Sequence, residues 1–138
     1  MTVGIKVDFL WFSIGTGDFF HSFFSTICIN LENGNWGSKF PIIMNALYGG
    51  EIEVSNLEEA KKEIEELKEE LQELSPKNVV WDAEDLDKMP PWGDNISANI
   101  TDLSNYFVTS DGKDLLDTLI EAVKQAIIEN VALEVKVL

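Results

Sequence analysis

Carboxylates dominate the residues that could do chemistry, and the densest group lies between residues 51 and 73. That segment holds ten acidic side chains against three lysines. Five of them recur at the three- and four-residue steps of one helix: Glu65, Glu66, Glu69, Glu70 and Glu73. Like charges at this spacing repel, and carboxylates near a helix C-terminus oppose the macrodipole, each at a cost of roughly a few tenths of a kcal/mol. Because this pattern works against local stability, it indicates selection for a positively charged partner.

A second acidic group follows the helix in a stretch without regular periodicity. Its members are Asp82, Glu84, Asp85, Asp87 and Asp94. Carboxylates are the ligands that calcium and magnesium prefer, but the acid-x-acid-x-acid-Gly order of an EF-hand is absent and Pro90-Pro91 interrupts the run. Paired carboxylates also serve in acid/base catalysis, although the sequence fixes no separation between them. We therefore interpret the group as a solvated or partner-facing surface and predict no metal and no cofactor.

Two other sets have the residue types of an active site. His21, Ser25 and Cys28 share one face of a phenylalanine-rich helix, whereas a catalytic triad converges across a cleft, so we predict a buried or half-buried core set. Gly15-Thr16-Gly17 lies between a predicted strand and a predicted helix, as a dinucleotide-binding turn does. Phe20 occupies the position of the third glycine, and Asp18 puts negative charge where a phosphate would bind. A plain turn fits better, and we predict no catalytic residue.

Pro90-Pro91-Trp92-Gly93 leaves two interpretations open. The prolines fix an extended path, and a tryptophan in a loop is either a packed lid or an exposed anchor. Aromatic anchors are enriched at the energetic centres of interfaces. We therefore include Trp92 among the candidate partner-binding residues.

Composition excludes several classes of function. The 138 residues carry a net charge of −15, 45% of them are hydrophobic, and the lysines do not cluster. Nucleic acids and anionic membranes both require a basic patch, so neither is an expected partner. The longest apolar stretch, Phe19–Leu31, is too short to span a bilayer, and the first residues lack the pattern of a secretory signal. A single cysteine, Cys28, fits a reducing compartment, so we expect a cytoplasmic protein.

Hydrophobic periodicity predicts strands at both ends of one domain, residues 1–138. Residues 3–11 alternate and predict one strand, and residues 131–137 predict a closing strand. Short strands are expected at 79–81 and 106–109. The expected class is α+β, with a small sheet that includes both terminal strands and about four helices packed on it, one of them long and acidic.

The helices are predicted from apolar residues at helical spacing and from capping residues. Residues 19–31 form the first helix, with Asp18 as its N-cap, and residues 40–48 form a shorter one. A Ser55–Glu58 capping box opens the acidic helix, in which Leu57, Ala60, Ile64, Leu67, Leu71 and Leu74 form a seam. We expect this seam to pack within the domain. The last helix is built on residues 115–127, with Ser110 or Asp111 as its cap.

Several segments together resemble bacterial polymorphic-toxin immunity proteins, and in particular the family catalogued as immunity protein seventy. They are residues 3–7, 19–25, 36–41, 79–82, 90–93 and 106–112. The Trp81-Asp82 and Pro90–Gly93 segments are the most specific of them. The resemblance implies a small cytoplasmic protein that binds and neutralises a toxin made beside it. It names no catalytic residue, and such families commonly guard against nucleases, which tend to be basic.

Three classes of function follow. The first is an inhibitor that occludes the active site of a basic toxin with the glutamates of the acidic helix, the carboxylates of residues 82–94 and Trp92. The second is a self-associating module that pairs the Leu57–Leu74 seam between chains, so a monomer or a weak homodimer is expected. The third is a carboxylate- or metal-dependent enzyme. We favour the inhibitor.

Overall fold

A four-stranded antiparallel sheet in the order β2-β1-β4-β3 forms the centre of the computed structural model, which describes residues 2–138. Its strands are β1 (Thr2–Val7), β2 (Leu10–Thr16), β3 (Glu51–Ile52) and β4 (Leu133–Val137). The two strands nearest the termini, β1 and β4, pair with each other in the middle of the sheet. The predicted α+β class, with both terminal strands in the sheet, is confirmed.

The first strand is shorter than predicted, because the chain reverses direction at Asp8 and Phe9. Val7 pairs with Leu10, so residues 3–11 form a hairpin and not one strand. Asp8 takes a left-handed conformation with φ 54°, which aspartate tolerates better than most residues. Without a glycine in the loop, alternation continued across the turn and concealed it. Phe9 stands at the tip with 95% of its surface exposed.

The two faces of the sheet differ. Val3, Ile5 and Val7 of β1 point into the core and are buried. On the outer face the Trp11 indole lies over Gly4, where a Cβ atom would come within 2.1 Å of the Trp11 ring. Only glycine leaves room for the indole there, so the outer face keeps a half-covered tryptophan while the inner face receives the helices.

Three α-helices and a π-helical turn cover the inner face. They are α1 (Gly17–Leu31), α2 (Leu57–Leu71), α3 (Leu115–Glu129) and the turn Ile42–Leu47. Helices α1 and α3 pack on the sheet, and α2 packs on α3 and on the π-helical turn. The predicted phenylalanine face of α1 is confirmed, because Phe20, Phe23 and Phe24 are buried.

The capping residues of α1 and α3 differ from the predictions. Thr16, not Asp18, caps α1, since its hydroxyl accepts from the Phe19 N–H at 3.1 Å. Asp114, not Ser110 or Asp111, caps α3 by accepting from the Leu116 N–H at 3.0 Å. Each helix start has several capping-type residues within a few positions, so composition alone does not select among them.

The start of α2 also differs from the prediction. A single turn of 3₁₀-helix, Val54–Asn56, precedes the helix, and the Asn56 side chain makes no capping bond. The Ser55–Glu58 capping box is therefore wrong. Near this start the Leu57 N–H donates to the Val54 carbonyl, and the Asn56 N–H donates to the Glu53 carbonyl. Fewer backbone donors are therefore left for a side-chain cap to satisfy.

Neither short internal strand forms. In the predicted strand 79–81, both backbone groups of Val80 bond to the Thr26 hydroxyl. The Val80 N–H donates to this hydroxyl at 3.0 Å, and the hydroxyl donates to the Val80 carbonyl at 3.1 Å. Residues 106–109 fold back on the segment before α3, and one bridge joins Val108 to Asp114. In both places side chains or a local turn supply the hydrogen bonds that a sheet would otherwise provide.

The leucine seam of α2 is satisfied inside the domain, as predicted. Five of its members are buried: Leu57, Ala60, Ile64, Leu67 and Leu71. Leu74 lies beyond the end of the helix and is half-buried. Since α3 and the π-helical turn already occupy the seam, pairing it between two chains would require this core to open. The surface that the self-association alternative requires is therefore already buried within the domain.

We expect Ile64→Ala to lower the free energy of unfolding by about 2–5 kcal/mol, because Ile64 is fully buried in the seam. Ile128→Ala on α3 is the matched control, since Ile128 is 73% exposed and its truncation should change stability by less than about 0.5 kcal/mol. Urea unfolding measures both variants. Equal losses of unfolding free energy in the two variants would show that the seam is not part of the core.

Candidate functional site

The acidic ridge, defined as Glu65, Glu66, Glu69 and Glu73, follows directly from the burial of the α2 seam. With the seam turned inward, these four side chains project into solvent, and all four are exposed. Within residues 2–138, none of them takes part in a salt bridge. The ridge therefore presents negative charge, with no cation in contact within residues 2–138, to a partner that approaches α2.

Glu70, which was predicted to belong with these residues, is engaged elsewhere. It forms an ion pair with Lys39 from the loop that follows α1, and its side chain is mostly covered. Its Oε2 atom is buried and has no hydrogen-bond partner among residues 2–138. An ion pair to another segment ties α2 to this loop, so Glu70 is better placed to support the fold than to meet a partner.

The loop that supplies Lys39 is held by a carboxylate that the sequence did not single out. Glu32 is buried, and its two oxygens accept from the N–H groups of Gly37, Lys39 and Phe40, each at 3.0 Å. A carboxylate that accepts several backbone donors satisfies groups that an irregular segment cannot pair by itself. Glu32 thereby fixes the path that brings Lys39 to Glu70.

Glu63 plays a similar part on the inner side of α2. It accepts from the N–H groups of Ile42 at 3.2 Å and Ile43 at 2.9 Å, at the start of the π-helical turn. Burial raises the pKa of Glu63, while the two N–H bonds act in the opposite direction. Although it lies among the ridge glutamates in sequence, Glu63 is a structural residue that docks the π-helical turn on α2.

The second acidic group lies on a different element, because residues 79–83 run along α1. The Ser22 hydroxyl donates to the Val80 carbonyl at 2.8 Å, and the Ala83 N–H donates to the Ser25 hydroxyl at 3.0 Å. Ser25 and Cys28 are buried and His21 is half-buried, which confirms the prediction of a core set. The α1 hydroxyls act here as anchors for the acidic loop, a use that the sequence did not reveal.

Asp82 is the anchoring carboxylate of this loop. Its Oδ1 accepts from the Glu84 N–H at 2.9 Å and lies 3.4 Å from His21 Nε2, while Oδ2 lies 3.7 Å from Lys88 Nζ. The bond from the Glu84 N–H, with smaller contributions from His21 and Lys88, holds the pKa of Asp82 below its ordinary value. A carboxylate with three partners within the chain stabilises the loop.

The other predicted carboxylates of the loop face solvent. Glu84, Asp85, Asp87 and Asp94 are exposed, and Asp85 accepts from the Asp87 N–H at 3.3 Å. Within residues 2–138 no three histidine, cysteine or acidic side chains converge as a metal site would require. The carboxylates are spread along an irregular path, so they form a charged rim and not a coordination sphere.

Trp92 is a partly covered lid. Its indole N–H donates to the Tyr106 hydroxyl at 2.8 Å, and its ring meets Trp81 edge-on with centroids 5.5 Å apart. The side chain nevertheless keeps 38% of its surface exposed. Burial raises the pKa of Tyr106 above its ordinary value of 10.0. Trp92 thus packs against Trp81 and Tyr106, as a lid would, and also exposes part of its surface, as an anchor would.

A groove with a volume of about 710 Å³ lies beside Trp92, since Gly93 and Tyr106, the hydrogen-bond partner of Trp92, both line it. Its lining includes Val79, Leu86, Met89, Pro90, Ile96 and Tyr106, together with Lys77 and Asp94. Leu86 and Met89 are 62% and 65% exposed. Neither residue is predictable from the sequence as part of a site, because two isolated apolar residues in an acidic stretch make no periodic pattern.

The structure therefore divides the predicted partner-binding residues between two elements. The ridge lies on α2, and the carboxylates of residues 82–94 lie with Trp92 in the loop that runs along α1. Glu70 and Asp82 belong to internal pairs. Among residues 2–138, no helix combines the length and apolarity needed to cross a lipid bilayer.

Comparison with known proteins identifies one family. A family model described as Immunity protein 70 matches residues 5–135 of the 138-residue chain. No curated protein and no solved structure matches. The match covers every strand and helix of the fold in whole or in part, including α2 and the whole acidic loop.

We expect Asp82→Ala to accelerate amide exchange across residues 80–88 at pH 7, because the carboxylate then no longer holds the Glu84 N–H, His21 and Lys88. A lowered pKa means that this stabilisation is present above the ordinary value of 3.8 and is lost as the pH falls through the lower value of the folded state.

The difference between wild type and Asp82→Ala should therefore shrink in acid, after correction for the intrinsic pH dependence of exchange. Asp87→Ala serves as the control within the same loop, since its side chain is exposed. Equal exchange in wild type and Asp82→Ala at pH 7 would contradict an anchoring role for Asp82.

Proposed function

We propose, because this chain belongs to the Immunity protein 70 family, that it binds a cognate bacterial toxin and neutralises it by covering the toxin's active site with an acidic surface. Family membership is the observation that carries the general role. The acidic ridge of α2 supports the mechanism, since it exposes four unpaired carboxylates on a helix whose other face is anchored in the core.

A toxin that acts on nucleic acid is the class of target that the charge favours. Such an enzyme binds phosphates with lysine and arginine, so its substrate cleft is positive. A protein of charge −15 with a ridge of carboxylates would be attracted to that cleft and would imitate the phosphate charge. Attraction of this kind accelerates encounter more than it lengthens the life of the complex.

The remaining features of the proposal are consistent with an inhibitor that does no chemistry. We propose that the chain is not an enzyme, requires no cofactor and acts in the cytoplasm, where a toxin would meet its target. With the α2 seam buried, the proposed state is a monomer or at most a weak homodimer.

The direct test pairs this chain with the toxin-like domain encoded beside its gene. Co-expression should restore growth that the domain alone abolishes, and a catalytically inactive form of the domain should bind the purified chain. If that domain is toxic and the chain neither restores growth nor binds it, neutralisation of this toxin by this chain is wrong.

We expect Glu66→Lys with Glu69→Lys to reduce the association rate constant for the inactive toxin domain by about tenfold at low salt, because both carboxylates are exposed and unpaired. The reduction should fade in about 0.5 M salt as screening lengths shorten. Stopped-flow fluorescence measures the rate, with Trp81 and Trp92 as intrinsic probes.

The matched control reverses Glu121 and Glu129 on α3, which are also exposed. Each pair of Glu→Lys changes alters the net charge by the same amount, from −15 to −11. Equal effects of the two pairs would show that overall charge matters and that the ridge does not make the contact.

A further inference from the structure

We infer that the groove beside Trp92 is the apolar centre of the toxin-binding surface, and that it receives one or two apolar side chains carried on a basic segment of the toxin domain. This inference rests on the proposed function and assigns the contact that holds the complex together. It gives the ridge the separate task of attracting the partner.

Exposed apolar side chains surround this concave surface. Leu86 and Met89 are 62% and 65% exposed, and both line a groove of about 710 Å³. Covering either side chain would gain apolar burial that the isolated protein forgoes. Methionine suits such a position because its flexible, polarisable side chain adapts to the shape of a partner.

The groove is already formed in the isolated protein. Val80 is bound to α1 through Ser22 and Thr26, and Ala83 through Ser25. On the far side, the Trp92 indole donates to the Tyr106 hydroxyl, and Tyr106 also lines the groove. A surface ordered before binding loses little conformational entropy when its partner arrives, which favours affinity.

The charge around the groove decides what kind of segment fits it. Residues 82–94 hold five carboxylates and one lysine, and that lysine, Lys88, lies near Asp82. Asp94 and Lys77 line the groove itself, while Glu84, Asp85 and Asp87 are exposed in the adjoining stretch, so carboxylates outnumber lysines around it. An apolar centre with a polar rim is the usual anatomy of an interface, and the excess of carboxylates favours a basic partner.

Trp92 acquires a supporting part in this arrangement. Its indole N–H already donates to the Tyr106 hydroxyl, and its ring packs against Trp81. Replacing it would disturb both the groove and the fold, so a loss of binding in a Trp92 variant would not locate the contact. Leu86 and Met89 are better probes, because exposed side chains contribute little to stability.

We expect Leu86→Ala with Met89→Ala to weaken binding of the inactive toxin domain by about a hundredfold, mainly through faster dissociation. The loss should persist in high salt, unlike the effect of ridge reversal, because apolar contact is not screened. Val54→Ala with Ile128→Ala is the control, since both side chains are exposed apolar residues outside the groove. Thermal unfolding checks that every variant remains folded.

The outcomes separate the two proposals. If wild type binds and the groove variant binds equally well, the groove assignment is overturned while the immunity function stands. If the groove variant binds weakly because it is unfolded, Leu86→Gln with Met89→Gln is tested in its place. Glutamine keeps a similar side-chain volume but removes apolar surface. Unchanged binding in that folded variant would equally overturn the assignment. If wild type itself fails to bind, the proposed function fails first.

Discussion

Burial of the α2 seam is the constraint on which the rest of the arrangement depends. Leu57, Ile64, Leu67 and Leu71 are buried against α3 and the π-helical turn. A helix whose apolar stripe is buried in the core presents most of its other residues to solvent. Because those residues are mostly glutamates, the same packing that builds the core also orients the ridge, and repulsion along the ridge is offset by the apolar burial beneath it.

The acidic residues of the chain do three different kinds of work. Glu32 and Glu63 accept backbone N–H groups and so shape the segment from Gly37 to Ile43, whose buried side chains complete the core beside α2. Glu70 and Asp82 pair with Lys39 and Lys88 of the same chain. Carboxylates of the third kind, such as those of the acidic ridge, are exposed and form no salt bridge within residues 2–138, so they are available to a partner. The net charge of the chain therefore overstates the charge available to a partner, because several carboxylates already make contacts that stabilise the fold.

Periodic features of the fold could be predicted from the sequence, whereas features that depend on a single backbone angle or a distant donor could not. The phenylalanine stripe of α1, the α2 seam and β4 each repeat an apolar position several times, and each was found. The hairpin loop at Asp8 leaves no such repeat, since aspartate supplied the left-handed angle without a glycine. Val80 resembled a strand residue because nothing local shows that Thr26, on α1, would satisfy its backbone.

The candidate site shows the same division. Charge is visible in composition, so the ridge was predicted, but exposure of Leu86 and Met89 is a property of the folded loop. These two kinds of surface differ in what they can do for a complex. Carboxylates in water remain hydrated, and their attraction acts over about 10 Å at moderate salt, which favours encounter over persistence. Apolar contact acts only after docking, excludes water and slows dissociation. An inhibitor that must find a toxin quickly and then keep its active site covered needs both, and this chain places them on two elements joined through one core.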